Sequence, residues 1–204
     1  PQDEKGNPVR VLERISGRNL SDHILGIEQD HETYFHETLP LILRNFMQCI
    51  EAIRFLHDHA EKHGDIRRDH ILIDSRSGDY RWIDFDYNYR HRENIFGYDL
   101  FGLGNILVFI VGKGDLLLQD LKRQSPQVLH RLTEADLNIV FRNRVVNLKS
   151  VYPYIPTALN RVLLHFSRGT NWFYENTGQL MEELADGMAV MQTANVSEGA
   201  GSPE

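Results

Sequence analysis

The longest regular pattern of apolar and polar residues in the chain starts at Leu39. Apolar side chains recur there at intervals of three and four residues, which is the period of one face of an α-helix. The apolar positions of this predicted amphipathic helix are Leu39, Ile42, Leu43, Phe46, Cys49, Ile50, Ile53 and Leu56. A second pattern opens at Gly97, is almost wholly apolar from Leu103 to Val111, and predicts a buried helix. That apolar stretch is too short to cross a bilayer.

A strand–turn–strand pattern lies between these two predicted helices. Residues 71–73 are apolar, residues 75–79 have the composition of a turn, and residues 80–85 are rich in aromatic and β-branched types. This order predicts a β-hairpin. A hairpin brings the residues that precede its first strand close to those that follow its second strand.

The remaining signals predict a mainly helical chain. The pattern of residues 9–15 predicts a short strand, and residues 16–18 have turn composition. Asn19 is a favourable N-cap for a helix that runs to about Ile27. Further helices are predicted over residues 115–122, 133–141, 156–167 and 178–191.

Composition narrows the class of protein. The length of 204 residues, with 41% hydrophobic and 25% charged residues, is ordinary for one globular domain. A net charge of -7 argues against nonspecific binding to nucleic acid. The single Cys49 excludes a disulfide framework and favours a reducing compartment. Since no signal peptide, lipidation motif or membrane span is found either, we expect a cytoplasmic protein with no membrane partner.

Composition also predicts how the chain is organised. We expect a flexible start over residues 1–8, a folded domain over 9–192 and a disordered tail over 193–204. The chain begins at Pro1 rather than at a methionine, so we expect it to be a piece of a longer protein.

Two acidic clusters flank the predicted hairpin and carry the candidate chemistry. The sequence from His63 to His70 contains Asp65 and Asp69, and Trp82-Ile83-Asp84-Phe85-Asp86 closes the second strand. Carboxylates that converge at a strand end can hold a divalent cation and can accept a proton. These are the tasks that phosphoryl transfer requires of a protein.

The order of these motifs resembles the large, C-terminal lobe of the protein kinase fold. His63-Gly64-Asp65, with His70 five residues on, is similar to the kinase catalytic loop, and Asp84-Phe85-Asp86 is similar to the metal-binding Asp-Phe-Gly motif. Three further segments resemble the hinge, the start of the buried F helix and the penultimate helix of that lobe: residues 12–20, 99–104 and 155–166.

The resemblance implies a fold and an activity. The fold is mainly α (α+β), with helices around a buried central helix and a small β-hairpin at the catalytic cleft. The activity is ATP-dependent transfer of the γ-phosphoryl group to a hydroxyl acceptor, with Mg²⁺ as the metal. Self-phosphorylation, another protein and a small molecule stay open as acceptors. The Gly-rich loop, the strand lysine and its glutamate are not found in this chain. The missing N-terminal lobe is therefore an expected partner, and we look for it in the sequence upstream of Pro1. This chain alone is expected to be inactive.

The resemblance also assigns the candidate catalytic and metal residues. Asp65 would orient the acceptor hydroxyl, and Asp84 would bind Mg²⁺. Arg67 would neutralise charge on the γ-phosphate, although Arg68 competes for this role. His70 stands where kinases carry a metal-binding asparagine.

Whether one or two metal ions bind is left open, because imidazole is a poor ligand for Mg²⁺. Asp86, which replaces the glycine of the motif, is a candidate for the missing oxygen ligand.

Other residues are assigned to nucleotide binding or to support. Backbone groups of Glu13 and Ile15 would bind the adenine edge, and Leu72 would form the floor beneath the ring. As structural support, His63 and Phe85 would stack within an apolar spine, and Asp99 would accept backbone N–H bonds from the catalytic loop.

Departures from the kinase pattern support an alternative function. His70 and Asp86 are atypical, and the segment between Asp86 and Asp99 is short and contains no Ala-Pro-Glu motif. The usual peptide-docking segment is therefore expected to be nearly deleted. The alternative is a pseudokinase, which would act as a nucleotide-binding or scaffold module without turnover.

Overall fold

Two helices with long apolar faces form the centre of the computed structural model. It describes residues 1–9, 11–86, 94 and 96–199, with only the backbone of 192–199. Helix α3 (Leu39–Asp58) buries the predicted apolar face, and helix α4 (Gly97–Val111) has the predicted bounds. Every residue from Ile106 to Val111 is buried. The prediction of a mainly helical α+β fold is confirmed at this level.

The predicted hairpin is present as part of a small antiparallel sheet. Strand β2 (Ile71–Asp74) pairs with β3 (Tyr80–Trp82) on one side and with β1 (Gly17–Asn19) on the other. The strand predicted over residues 9–15 is wrong, since residues 11–15 form no strand. Val9, Val11 and Leu12 are exposed, and the partner of β2 is the segment that had the composition of a turn.

The other helices surround this centre. Helix α1 begins after Asn19, whose side chain accepts a hydrogen bond from the backbone N–H of Asp22, as the capping signal predicts. A π-helical turn over Tyr34–Thr38 leads from α2 into α3. The remaining bounds are α1 Leu20–Leu25, α2 His31–Thr33, α5 Leu118–Gln124, α6 Pro126–Leu129, α7 Thr157–Leu164 and α8 Thr177–Gly199.

The helix predicted over residues 133–141 is wrong. The structure has only a short 3-10 turn, Glu134–Asp136, and Asn138 then forms an isolated β-bridge with Ser167. The Asn138 side chain accepts hydrogen bonds from the backbone N–H groups of Val140 and Phe141. Such side-chain bonds compete with helical hydrogen bonding and favour a turn.

The domain boundaries predicted from composition, at residues 9 and 192, stay predictions. Helix α8 continues beyond the boundary predicted at residue 192, and residues 200–204 of the predicted tail lie outside the described residues. Gln2 and Pro8 form a β-bridge within the predicted flexible start. The short segment after Asp86 also lies largely outside the described residues. The helices of the described residues include none with the length and hydrophobicity of a membrane span.

Candidate functional site

Backbone hydrogen bonds join the loop before the hairpin to the segment after it. The N–H of Asp86 donates to the carbonyl of His63 at 2.8 Å, and the N–H of Ile83 donates to the carbonyl of His70 at 2.9 Å. The two acidic clusters of the sequence are therefore adjacent in space.

Gly64 permits this close approach. Its φ is +80°, and a Cβ atom at this position would lie 2.4 Å from the carbonyl oxygen of Asp86. Only glycine adopts this conformation without strain and leaves the space empty. The glycine at this position therefore has a local structural cause in this chain.

The imidazole of His70 lies between the two candidate carboxylates. Its Nδ1 is 3.4 Å from Oδ2 of Asp65, and its Nε2 is 4.0 Å from Oδ2 of Asp84. The Asp65 and Asp84 side chains are 37% and 71% exposed, so both can meet a ligand from solvent. The structure thus brings together Asp65, His70 and Asp84.

Asp84 has an unusual backbone conformation. Its φ is +58°, in the left-handed region, which a residue other than glycine adopts only at some cost. Such conformations persist where the surrounding structure holds them, and they are concentrated at functional sites. Here the conformation places an exposed carboxylate directly after the hairpin.

Asp99, at the start of α4, holds the loop that carries Asp65. Its buried carboxylate accepts hydrogen bonds from the backbone N–H groups of His63 and Gly64, both at 2.9 Å. It also lies 3.0 Å from Nε2 of His57, on α3. Sequence reasoning missed His57, whose position four residues after Ile53 continues the buried face of α3.

Aromatic packing fixes the other side of the loop. The buried ring of His63 stacks on Phe85 at a centroid distance of 4.3 Å and meets Trp82 edge-on at 4.9 Å. Burial lowers the pKa of His63, which favours a neutral imidazole. Since His63 accepts a hydrogen bond from the N–H of Asp65 at 3.3 Å, this packing also positions the candidate catalytic residue.

The two candidate cations after Asp65 contact carboxylates. Arg67 forms a bidentate pair with Asp69, with N···O distances of 3.0 and 2.6 Å. Arg68 pairs with a different carboxylate, and its Nη1 lies 2.8 Å from Oδ2 of Asp115. Neither arrangement tests which arginine would contact a phosphate, so the role of Arg67 stays a prediction.

The candidate nucleotide residues lie on or near the sheet. Leu72, in the central strand, is half-buried opposite Arg81 of β3. The Glu13 carboxylate is 3.5 Å from that arginine, which places Glu13 beside the same sheet. Ile15 is half-buried in the segment that precedes β1. Their contact with adenine stays a prediction.

The candidate carboxylates at the end of the hairpin suit a metal ion whose other ligands come from phosphate and water. Among the described residues, no three His, Cys, Asp or Glu side chains are grouped so that they could hold a metal ion. Mg²⁺ is usually held by one or two carboxylates together with phosphate oxygens and water. Asp84 fits such a site, while the contributions of His70 and Asp86 stay predictions.

A cavity of about 540 Å³ opens beside Asp65. Its lining comes from the Asp65 loop, from α4 and from the turn around Phe141. This volume is typical of pockets that hold small organic ligands.

Two curated proteins are similar to parts of this chain. A 2-5A-dependent ribonuclease from Mus musculus is 30% identical over 105 residues, which is 50% of this chain and 13% of that protein. The serine/threonine-protein kinase pim-2 of Danio rerio is 44% identical over 45 residues, which is 22% of this chain and 14% of the kinase. No protein-family model matches the chain. These partial similarities hint at a protein kinase-like superfamily.

Proposed function

We propose that this chain is the large lobe of a protein kinase-like phosphotransferase that uses ATP and Mg²⁺. The observation that carries the proposal is the position of Asp65 and Asp84 on the two sides of the His70 ring. An acceptor hydroxyl at Asp65 and a metal-bound phosphate at Asp84 would then share one exposed site. The partial similarity to a serine/threonine-protein kinase supports the same class of chemistry.

The protein contributes mainly position and charge to such a reaction. Asp65 orients the acceptor hydroxyl and takes up its proton as the new P–O bond forms. The bond between the γ-phosphorus and the bridging oxygen breaks in the same step, and ADP is the leaving group. Asp99, His57 and His63 keep the Asp65 loop in place through the contacts described above. Asp84 would hold Mg²⁺, which when bound would neutralise charge on the phosphate oxygens. Adenine would lie against Leu72, next to the segment that contains Glu13 and Ile15.

A thermal-shift titration of the complete gene product tests nucleotide binding. ATP with Mg²⁺ at about 100 times its Kd should stabilise the protein by about 2.7 kcal/mol. The Asp84→Asn variant should lose the Mg²⁺-dependent part of this shift. Asp79→Asn is the matched control, because Asp79 is an exposed carboxylate in the turn of the same hairpin.

Phosphoryl transfer is tested separately from binding. Asp65→Asn should keep the nucleotide-dependent shift and lose transfer, because its carboxylate acts on the acceptor. If Asp84→Asn and Asp79→Asn respond equally to ATP and Mg²⁺, the assignment of the metal ligand is wrong. If the wild type shows no response to nucleotide, the phosphotransferase proposal is wrong as a whole.

A further inference from the structure

The cavity beside Asp65 contains more cationic side chains than the proposed transfer step uses. Arg67, Arg68 and Arg144 all line it, together with Asp65 and Asp69. The bidentate pair between Arg67 and Asp69 is neutral by itself. The charge that remains to be explained belongs to Arg68 and Arg144.

Arg68 and Arg144 share a single carboxylate. Arg68 Nη1 is 2.8 Å from Oδ2 of Asp115, and Arg144 Nη2 is 2.9 Å from Oδ1 of the same residue. Two guanidinium groups thus face the single carboxylate of Asp115, while the remaining carboxylate of the cavity, Asp65, lies against His70. We call Arg68, Arg144 and Asp115 the arginine pair and its aspartate.

Arg144 is a buried cation with one N–H donor that has no partner in the part of the chain that the structure describes. The residue is only 8% exposed, and its Nε has no hydrogen-bond partner among the described residues. Its Nη1 lies 3.5 Å from Oδ1 of Asn105, at the limit of a hydrogen bond. A buried N–H donor that is left without a partner, as Nε of Arg144 is among the described residues, costs free energy.

The electrostatics agree with this geometry. Burial lowers the pKa of Arg144, Asp115 opposes that shift, and the neighbouring Arg68 adds to it. A bound anion beside the arginine pair would compensate Arg144 for the hydration that it loses on burial. It would also offset the repulsion between the two like charges. Arginine is also well suited to planar, bidentate recognition of carboxylate or phosphate.

Another part of the lining is apolar and open to solvent. Val140 and Phe141 are 58% and 48% exposed, and both line the cavity with Phe101. Phe141 also lies beneath the Arg144 guanidinium, whose carbon is 4.4 Å from the ring centroid. A ligand with an apolar group next to its anionic group matches this arrangement.

We infer that this cavity takes a hydroxyl acceptor that carries a carboxylate or phosphate and an apolar group, with the anion held by Arg68 and Arg144. The inference rests on the proposed phosphotransferase function, because the same cavity contains Asp65. The acceptor hydroxyl then meets Asp65, and the arginine pair orients the rest of the molecule. The anion can belong to a small molecule or to an acidic side chain of a protein substrate.

Phenyl phosphate is the first probe, because it combines a dianion with an aromatic ring. Isothermal titration should detect its binding to the complete protein, and the neutral benzyl alcohol should bind much more weakly. Arg68→Gln should weaken phenyl phosphate binding about tenfold or more, the effect of losing one charge-assisted contact. Arg123→Gln is the matched control, since Arg123 forms a comparable ion pair with Asp120 outside the cavity lining.

A variant that is expected to strengthen binding distinguishes loss of recognition from damage to the fold. Asp115→Asn removes the shared carboxylate and leaves both guanidinium groups, so phenyl phosphate should bind more tightly. A partly unfolded protein would not show this gain.

A capped peptide of serine, glutamate and phenylalanine tests whether the acceptor is a protein. Peptide binding that also depends on Arg68 supports a protein acceptor, and binding of phenyl phosphate alone supports a small-molecule acceptor.

The inference is overturned if neither probe binds the folded protein, or if Arg68→Gln and Arg123→Gln bind phenyl phosphate equally. It can fail without the proposed function. Loss of phenyl phosphate binding together with an intact response to ATP and Mg²⁺ would remove only the acceptor assignment. Phenyl phosphate binding without any nucleotide response would remove the phosphotransferase proposal and, with it, the assignment of the anion as an acceptor.

Discussion

Replacing Asp99 by asparagine tests how firmly the Asp65 loop is anchored. The substitution keeps the shape of the side chain and removes one of its two acceptor oxygens. In the wild type, Oδ1 accepts from the N–H of Gly64, and Oδ2 accepts from the N–H of His63 and contacts His57. The amide of asparagine can serve only one of these two sets of donors, whichever way it is oriented.

The expected cost follows from these contacts. At least one buried backbone N–H loses its acceptor and faces an NH₂ group instead. A hydrogen bond to a charged group contributes about 1.5–3 kcal/mol, and a buried donor left without a partner costs about 1–3 kcal/mol. Because these contributions overlap, we expect Asp99→Asn to lower the free energy of unfolding by about 2–4 kcal/mol. That is a large share of the roughly 5–15 kcal/mol typical of a domain.

Urea unfolding and amide hydrogen exchange measure this effect. The free energy of unfolding should fall, and the amides of His63 and Gly64 should exchange faster than in the wild type. Asp58→Asn is the control, since its carboxylate is 67% exposed and 3.9 Å from Arg54, so its loss should cost less than about 0.5 kcal/mol. Equal stability of the Asp99→Asn and Asp58→Asn variants, with unchanged exchange at both amides, would refute the anchoring argument.

Two further predictions concern backbone conformation and pH. In urea unfolding, Gly64→Ala should lower the free energy of unfolding by about 3 kcal/mol or more, and Gly78→Ala by only about 1 kcal/mol. Both glycines have φ near +80°, but only a Cβ at Gly64 would collide with a backbone atom. Burial lowers the pKa of His31 from 6.5 to about 4. Stability should therefore be full above pH 6.5 and fall by about 3 kcal/mol as the pH drops to 4, since the unfolded chain takes up the proton first. His31→Phe, which retains an aromatic ring on Tyr152, should flatten this part of the pH profile.

A specific experimental result would contradict each of these two predictions. Equal costs for Gly64→Ala and Gly78→Ala would mean that contact with Asp86 does not limit the loop. An unchanged pH profile in His31→Phe would assign the acid sensitivity to other groups, such as His23 or His63, whose pKa values burial also lowers.

The sequence determined the elements whose signals are local. The spacing of apolar residues sets the buried face of α3, because a helix repeats every 3.6 residues. Asn19 marks the start of α1 by a hydrogen bond to a residue only three positions away. The hairpin between Ile71 and Trp82 follows from a turn flanked by two apolar segments. The proximity of Asp65 and Asp84 follows in turn from the hairpin.

Only the tertiary structure decided the features that depend on distant residues. The partner of β2 is a segment of turn composition, because strand pairing depends on which backbone is available rather than on composition. The contact between His57 and Asp99 joins two helices. Arg68, Arg144 and Asp115 are far apart in the sequence, and only the folded chain brings them together. Sequence spacing contains no signal for such contacts, since side chains far apart along the chain are brought together only when the core packs.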